Sequence, residues 1–232
     1  MAAKITPAEL AQGGWYALEQ CGHLLDDAVS LFDLGRYATA VGLGMLAREE
    51  YGKARRLFAL AAEGQDIDAD DVVITRHTDK QKLALVSVML PPSDSESGLI
   101  ELLRRMRAQK FGTPEWAEAA RAFAVAMEPI VERLSRDRHE ARMRSLYVDW
   151  DPKLGRWLRP DVTRDEARRQ LDHAINDYST YERTIEVDTA GTLGATVAEL
   201  LRQWPERPKS ATTTKAEMAV MVPFAVQRSG MV

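Results

Sequence analysis

The stretch RYATAVGLGMLAREEYGKARRLFALAAEG, residues 36–64, decides the fold class. It carries no proline, it closes on Gly64, and its apolar residues recur at three- and four-residue steps. That period belongs to a helix whose stripe faces a core, and a glycine just past the last turn is the common helix stop. Leu43, Leu46, Ala47, Glu50, Ala54 and Leu57 fall on one face, so Glu50 is expected among apolar neighbours. A carboxylate there costs several kcal/mol unless something pairs with it. Glu49 points about 100° away, where a surface pair with Lys53 is expected. Gly42 and Gly44 lie inside the same helix. Glycine costs about 1 kcal/mol there, so both imply close packing against a neighbour.

The same punctuation extends outward. Thr6-Pro7-Ala8-Glu9 is an N-cap, a first-turn proline and a capping-box glutamate, opening a helix to Leu34 with Gly35 as its stop. After Gly64 a helix is expected over 70–90, a polar loop over 91–98 (PPSDSESG), and a basic helix from Leu99 to Lys110. Thr113-Pro114-Glu115 starts another helix toward Ser145, kinked at Pro129. Thr163 starts one to Ala190, and the last runs over Thr196–Trp204. Between them YVDWDPKLGRWLRP, residues 147–160, has no helical period and reads as an ordered, aromatic excursion. No β-alternation is evident. The expectation is an all-α antiparallel helical bundle forming one domain over 1–204. A linker and an apolar segment, Met218–Val226, follow in 205–232.

Composition narrows the function classes. Among 232 residues 45% are hydrophobic and 28% charged, with a formal charge of -4. That balance suits a packed domain and not a generic nucleic-acid coat, though a local basic patch is compatible with it. One cysteine, Cys21, gives no disulfide framework, and no apolar run reaches the ~20 residues of a membrane span. A cytoplasmic protein without membrane contact is expected. No metal or cofactor is called for: the residues three before the histidines are Gln20, Ile74, Arg136 and Gln170, so no Glu-x-x-His appears. Zinc spacings and phosphate-binding glycine loops are absent from the sequence.

Two constellations carry chemistry. Helix 70–90 places His77 and Lys80 on a stripe with Ala84 and Ser87. A Glu50–Lys80 or Glu50–His77 contact follows, either as a clasp fixing helix register or as a catalytic pair. The second is RLSRDRHEARMR, residues 133–144, with five arginines and His139. His139 lies about 140° from Leu134 of the apolar stripe, which assigns it to the outer face. Arg136 is adjacent to it; Arg133 is on a different side of a straight helix. An imidazole can move the proton of an RNA 2′-hydroxyl and a guanidinium can hold the phosphate. A solvated charged face is the alternative.

Residues 35–54 (GRYATAVGLGMLAREEYGKA), then His77 and Lys80, then HEARMRSLYVDW (139–150) with a following Gly-x-Trp and Pro, resemble the AbiV family of bacterial abortive-infection proteins. The resemblance spans roughly Leu24 to Ala190 and is strongest at Glu49-Glu50-x-Gly52-Lys53 and Leu146-Tyr147-Val148-Asp149. It implies phage defence and a HEPN-like, often dimeric, helical domain. Many such domains are metal-independent ribonucleases using Arg-x(4–6)-His. Arg133 and His139 fit that spacing, with Leu134 where a polar residue often follows the arginine. The resemblance therefore implies a homodimer with His139 and Arg133 as catalytic residues. Arg136 is too close to His139 for that spacing, and its adjacency on the helix adds it as a second catalytic arginine holding phosphate. Glu49, Glu50, Lys53, His77 and Lys80 would form a supporting polar network. Tyr147, Asp149, Trp150 and Trp157 would line the site or the dimer contact. The competing expectation is a non-catalytic module that sequesters RNA, ribosomes or a phage protein.

Overall fold

A computed structural model describes residues 4–72, 97–109, 113–186 and 193–204. The helices expected at the N-terminus are present: α1 spans Pro7–Asp33 and α2 spans Tyr37–Glu63. Thr6 caps α1 as its sequence requires. Its hydroxyl accepts from the Glu9 amide, and the Glu9 carboxylate accepts from the Thr6 amide at 2.8 Å. The Thr6 hydroxyl also donates to the carboxylate at 2.8 Å. This bond and the one from the Thr6 amide hold the exposed Glu9 carboxyl below its usual pKa, the backbone bond contributing most. Gly35 and Gly64 take the left-handed conformation after the two helices, with φ of +72° and +73°. The short connection over 34–36 folds α2 back against α1, and these two helices make the most extensive contact among the described elements.

Beyond α2 come a four-residue turn α3 (Ala69–Val72), α4 (Ser97–Ala108), α5 (Pro114–Leu146), α6 (Arg164–Glu186) and α7 (Leu193–Arg202). The expected helix over 70–90, with His77 and Lys80, lies otherwise outside the described residues, as does Met218–Val226. The last helix, expected over Thr196–Trp204, begins three residues earlier and includes Gly194. Pro129 sits inside α5, which remains one helix of 33 residues.

Two small antiparallel pairings accompany the helices. Strand β1 (Lys4–Ile5) pairs with β2 (Ile67–Asp68), and β3 (Asp149–Asp151) pairs with β4 (Arg156–Leu158). The aromatic excursion is therefore a β-hairpin, with Trp150 opposite Trp157. Alternation was invisible because each strand is only three residues long.

The fold is all-α. Its main core joins Trp15, Leu18 and Leu25 of α1, Tyr51 and Phe58 of α2, Leu171 and Tyr178 of α6, and Leu201 of α7. A smaller cluster, Val41, Met45, Ala141 and Ala167, joins α2 to α5 and α6. Helix α2 is thus central, packed against α1, α5, α6 and α7. The closeness of that packing rests on its glycines. A Cβ at Gly42 would strike the Leu146 side chain, and one at Gly44 would come within 2.9 Å of Leu171 Cδ2.

A cationic junction and the outer face of helix 5

Because α2 is covered on several sides, a single apolar stripe does not describe it. Arg48 and Glu49 are both buried, while Glu50 is half-buried. The expected roles of the two glutamates are therefore reversed. Glu50 forms the near-surface pair with Lys53, at 3.6 Å, and Glu49, 2% exposed, turns inward to Arg142 of α5 at 3.4 Å. The preceding residue reaches a different helix: Arg48 Nη2 donates to Asp177 Oδ2 of α6 at 2.8 Å. Two consecutive residues of α2 thus tie it to α5 and α6 through buried ion pairs.

A third arginine joins this junction. Arg138 lies one turn before Arg142 on α5, and its pKa is pushed down to about 9. Burial is the main cause, the Arg48 charge adds to it, and Asp177 offsets part of it. Arg138 stays charged at neutral pH, yet its charge is under-compensated. The orphaned donors agree: Arg48 Nε, Arg138 Nη1 and Arg142 Nε are buried without a hydrogen-bond acceptor. His173 of α6 is lowered by desolvation and then by Arg48, with Asp177 pulling the other way. Three guanidinium groups face two carboxylates, which is costly to bury.

This reshapes α5. The apolar stripe expected through Phe123, Met127, Ile130, Leu134 and Ala141 buries Met127 and Ala141 fully and the other three partly. In the C-terminal half the inward face is polar: Ser135, Arg142 and Ser145 are buried, and Arg138 is mostly so. The two hydroxyls find partners in their own helix, Ser135 donating to the Glu132 carbonyl and Ser145 to the Arg142 carbonyl. His139 flanks that inward stripe. It is half-buried, with Nδ1 covered and unpartnered, so its expected place on the outer face is corrected to the boundary between the faces. Arg133, Arg136 and Arg144 are exposed on the outer side.

The structure therefore brings His139 beside Arg136, one turn away on α5, and sets Arg133 about 120° round the helix and about 9 Å along it. It separates Glu49 from Glu50 and Lys53, so these three do not form one network. His77 and Lys80 lie outside the described residues. Tyr147, which ends α5, and Trp150 and Trp157 of the hairpin are all exposed.

A family model described as AbiV matches residues 9–174. The chain belongs to the AbiV family. The match runs from the first turn of α1, through α2, α5 and the hairpin, into α6. Comparison with curated proteins and with solved structures gives no match. AbiV membership makes this an abortive-infection protein with a HEPN-type helical domain. Among the described residues no helix is long and apolar enough to cross a membrane.

Sequence reasoning missed Arg48, Arg138 and Asp177. A signal for the inward arginines exists in Ser135, Arg138, Arg142 and Ser145, which repeat at three- and four-residue steps along one side. Their polarity hid it, since a stripe of serine and arginine reads as solvent-facing. Asp177 sits beside Ala174 and Tyr178, both buried, at the edge of the apolar stripe of α6.

Proposed function

We propose that this AbiV-family chain arrests the infected cell by cleaving RNA without a metal ion, at a centre on α5 built around His139. The supporting observation is the boundary position of that imidazole. Packing against the inward stripe holds one ring nitrogen away from water and from any hydrogen-bond partner, while Arg136 stands exposed beside it. The accessible charge for a phosphodiester is on the exposed side, at Arg136.

In this reading the RNA 2′-hydroxyl attacks the adjacent phosphorus as His139 takes its proton. The phosphate–5′-oxygen bond breaks as the leaving oxygen takes up a proton from water, leaving a 2′,3′-cyclic phosphate and a 5′-hydroxyl, and the imidazolium returns its proton to solvent. Arginine holds the non-bridging oxygens and stabilises the charge that accumulates there. Arg136 can do so within one chain. Arg133 is too far round the helix for the same phosphate, so it serves only from a second subunit: Arg133 of the partner subunit meets His139 across a homodimer contact. Arg142 takes no part in binding RNA, because Glu49 occupies it in the interior.

RNA recovered from phage-infected cells tests this. Cells carrying the wild-type chain should accumulate fragments with 2′,3′-cyclic phosphate ends, and cells carrying His139→Ala at equal protein level should not. Protection that persists in His139→Ala without new RNA ends would overturn cleavage. Sequestration of RNA, ribosomes or a phage protein by the outer face would then be the better account.

A further inference from the structure

The hairpin β3–β4 keeps its aromatic residues in water. Trp150 and Trp157 are cross-strand partners with ring centroids 5.5 Å apart and planes at 68°. Such an edge-to-face pair helps hold the two strands together. That explains the pairing but not the exposure, since Trp150 remains 47% and Trp157 66% accessible. The turn does not depend on these rings for its shape. Asp151 Oδ1 accepts from the Lys153 and Leu154 amides, at 2.8 and 3.0 Å, and Gly155 supplies the left-handed residue at φ +61°. Tyr147 extends the exposed aromatic surface toward α5. Apolar surface left open on an ordered element marks an interaction site.

Charge selects the partner. Lys153, Arg156 and Arg159 are exposed between and beside the rings. The carboxylates of the hairpin lie in strand β3, Asp149 and Asp151, and Asp151 Oδ1 already serves the turn. Three exposed cations therefore stand among flat aromatic faces on the turn and the β4 side of the hairpin. Nucleobases stack on such faces, and the phosphates between them meet the cations. A duplex hides its base faces, whereas a single strand offers both base faces and phosphates.

We propose that the hairpin is a single-strand RNA platform, with Trp157 stacking a base and Arg156 and Arg159 contacting the flanking phosphates. The proposal rests on the RNA reading above and adds how the strand is held. Tyr147 follows His139 by eight residues, about 12 Å along α5, so one short strand can occupy the platform and His139 together.

The test uses the full chain carrying His139→Ala, which removes cleavage while the hairpin stays intact. Its affinity for a fluorescent uridine oligomer of about 12 nucleotides, within the span single-strand sites cover, is read by anisotropy. Adding Trp157→Ala should weaken binding about tenfold or more, in keeping with loss of one stacked base. Trp157→Phe should restore most of it. Arg156→Glu, which leaves both indoles in place, should also weaken binding and flatten its salt dependence. A duplex of equal length should bind no better before than after the tryptophan change. Unchanged affinity in both Trp157→Ala and Arg156→Glu would overturn the proposal, as would failure of the parent to bind the oligomer. A Trp157→Ala protein that loses its dimer in sedimentation but keeps its affinity would assign the hairpin to a subunit contact instead. Cleavage by a wild-type protein whose hairpin variants bind normally would remove the platform and leave the His139 reading standing. Hairpin-dependent binding by a protein that never cleaves would do the reverse.

Discussion

The two faces of α5 carry the same residue type in two different conditions. On the inner face Arg138 and Arg142 are buried against α2 and α6, close to Glu49, Arg48 and Asp177. On the outer face Arg133, Arg136 and Arg144 stand in water, and Arg144 reaches Glu166 only at 4.0 Å. An inner arginine is fixed because its partner has nowhere else to go, and losing either member strands a charge in the interior. An outer arginine contributes almost nothing to folding and remains available to a phosphate. Chain position and residue type do not separate structural from functional arginines here; burial does. His139 lies on the seam between them.

The comparison breaks first, if it breaks, at the inner face. Glu49→Ala should destabilise the fold by about 3–5 kcal/mol, because Arg142 is left buried and unpaired. Denaturant unfolding reads this directly, and a loss below 1 kcal/mol would mean that Arg142 finds water and the junction is not closed. Gly42→Ala should cost about 1–3 kcal/mol, since its methyl meets Leu146 where α5 comes closest to α2. The same measurement on Arg144→Glu should stay within about 0.5 kcal/mol of wild type. That contrast also means charge reversal at Arg142 cannot serve as a probe of a docking surface, because it unfolds the junction before it alters any surface.

The smallest effect concerns pH. The folded-state pKa of His173 is lowered, by desolvation first and by Arg48 next, so the unfolded chain takes up its proton more readily. Stability from this residue is present in full above the ordinary histidine value of 6.5 and is lost as the pH falls below it. His173→Gln should shallow the acid side of the stability profile while leaving neutral stability nearly unchanged. An unaltered slope between pH 5 and 7 would detach His173 from the arginine junction.

Helices were legible because caps, prolines and stop glycines act locally. Thr6 with Glu9 and the glycines at 35 and 64 need no tertiary information to do their work. The close approach at Gly42 and Gly44 was legible for the same reason: an interior glycine is unfavourable unless something occupies its missing Cβ. What the sequence did not disclose is the number of neighbours around α2. Periodicity names one buried stripe, and a helix enclosed on several sides has more than one. Glu49 and Glu50 were exchanged on that account, and Arg138 and Arg142 read as surface because arginine ordinarily is. The hairpin escaped notice as strands, yet its Trp, Gly and Pro content correctly marked an ordered element.

The account turns on the claim that His139 belongs to chemistry while its neighbours Arg138 and Arg142 belong to the fold. Purified His139→Ala, assayed for RNA cleavage in EDTA and unfolded in denaturant from the same preparation, tests that claim most directly. Cleavage should fall by about 10²–10⁴, the contribution of a positioned proton-transfer group, with the unfolding free energy within about 1 kcal/mol of wild type. Loss of activity together with loss of stability would place His139 in the structural junction, and cleavage at the wild-type rate would contradict the account outright.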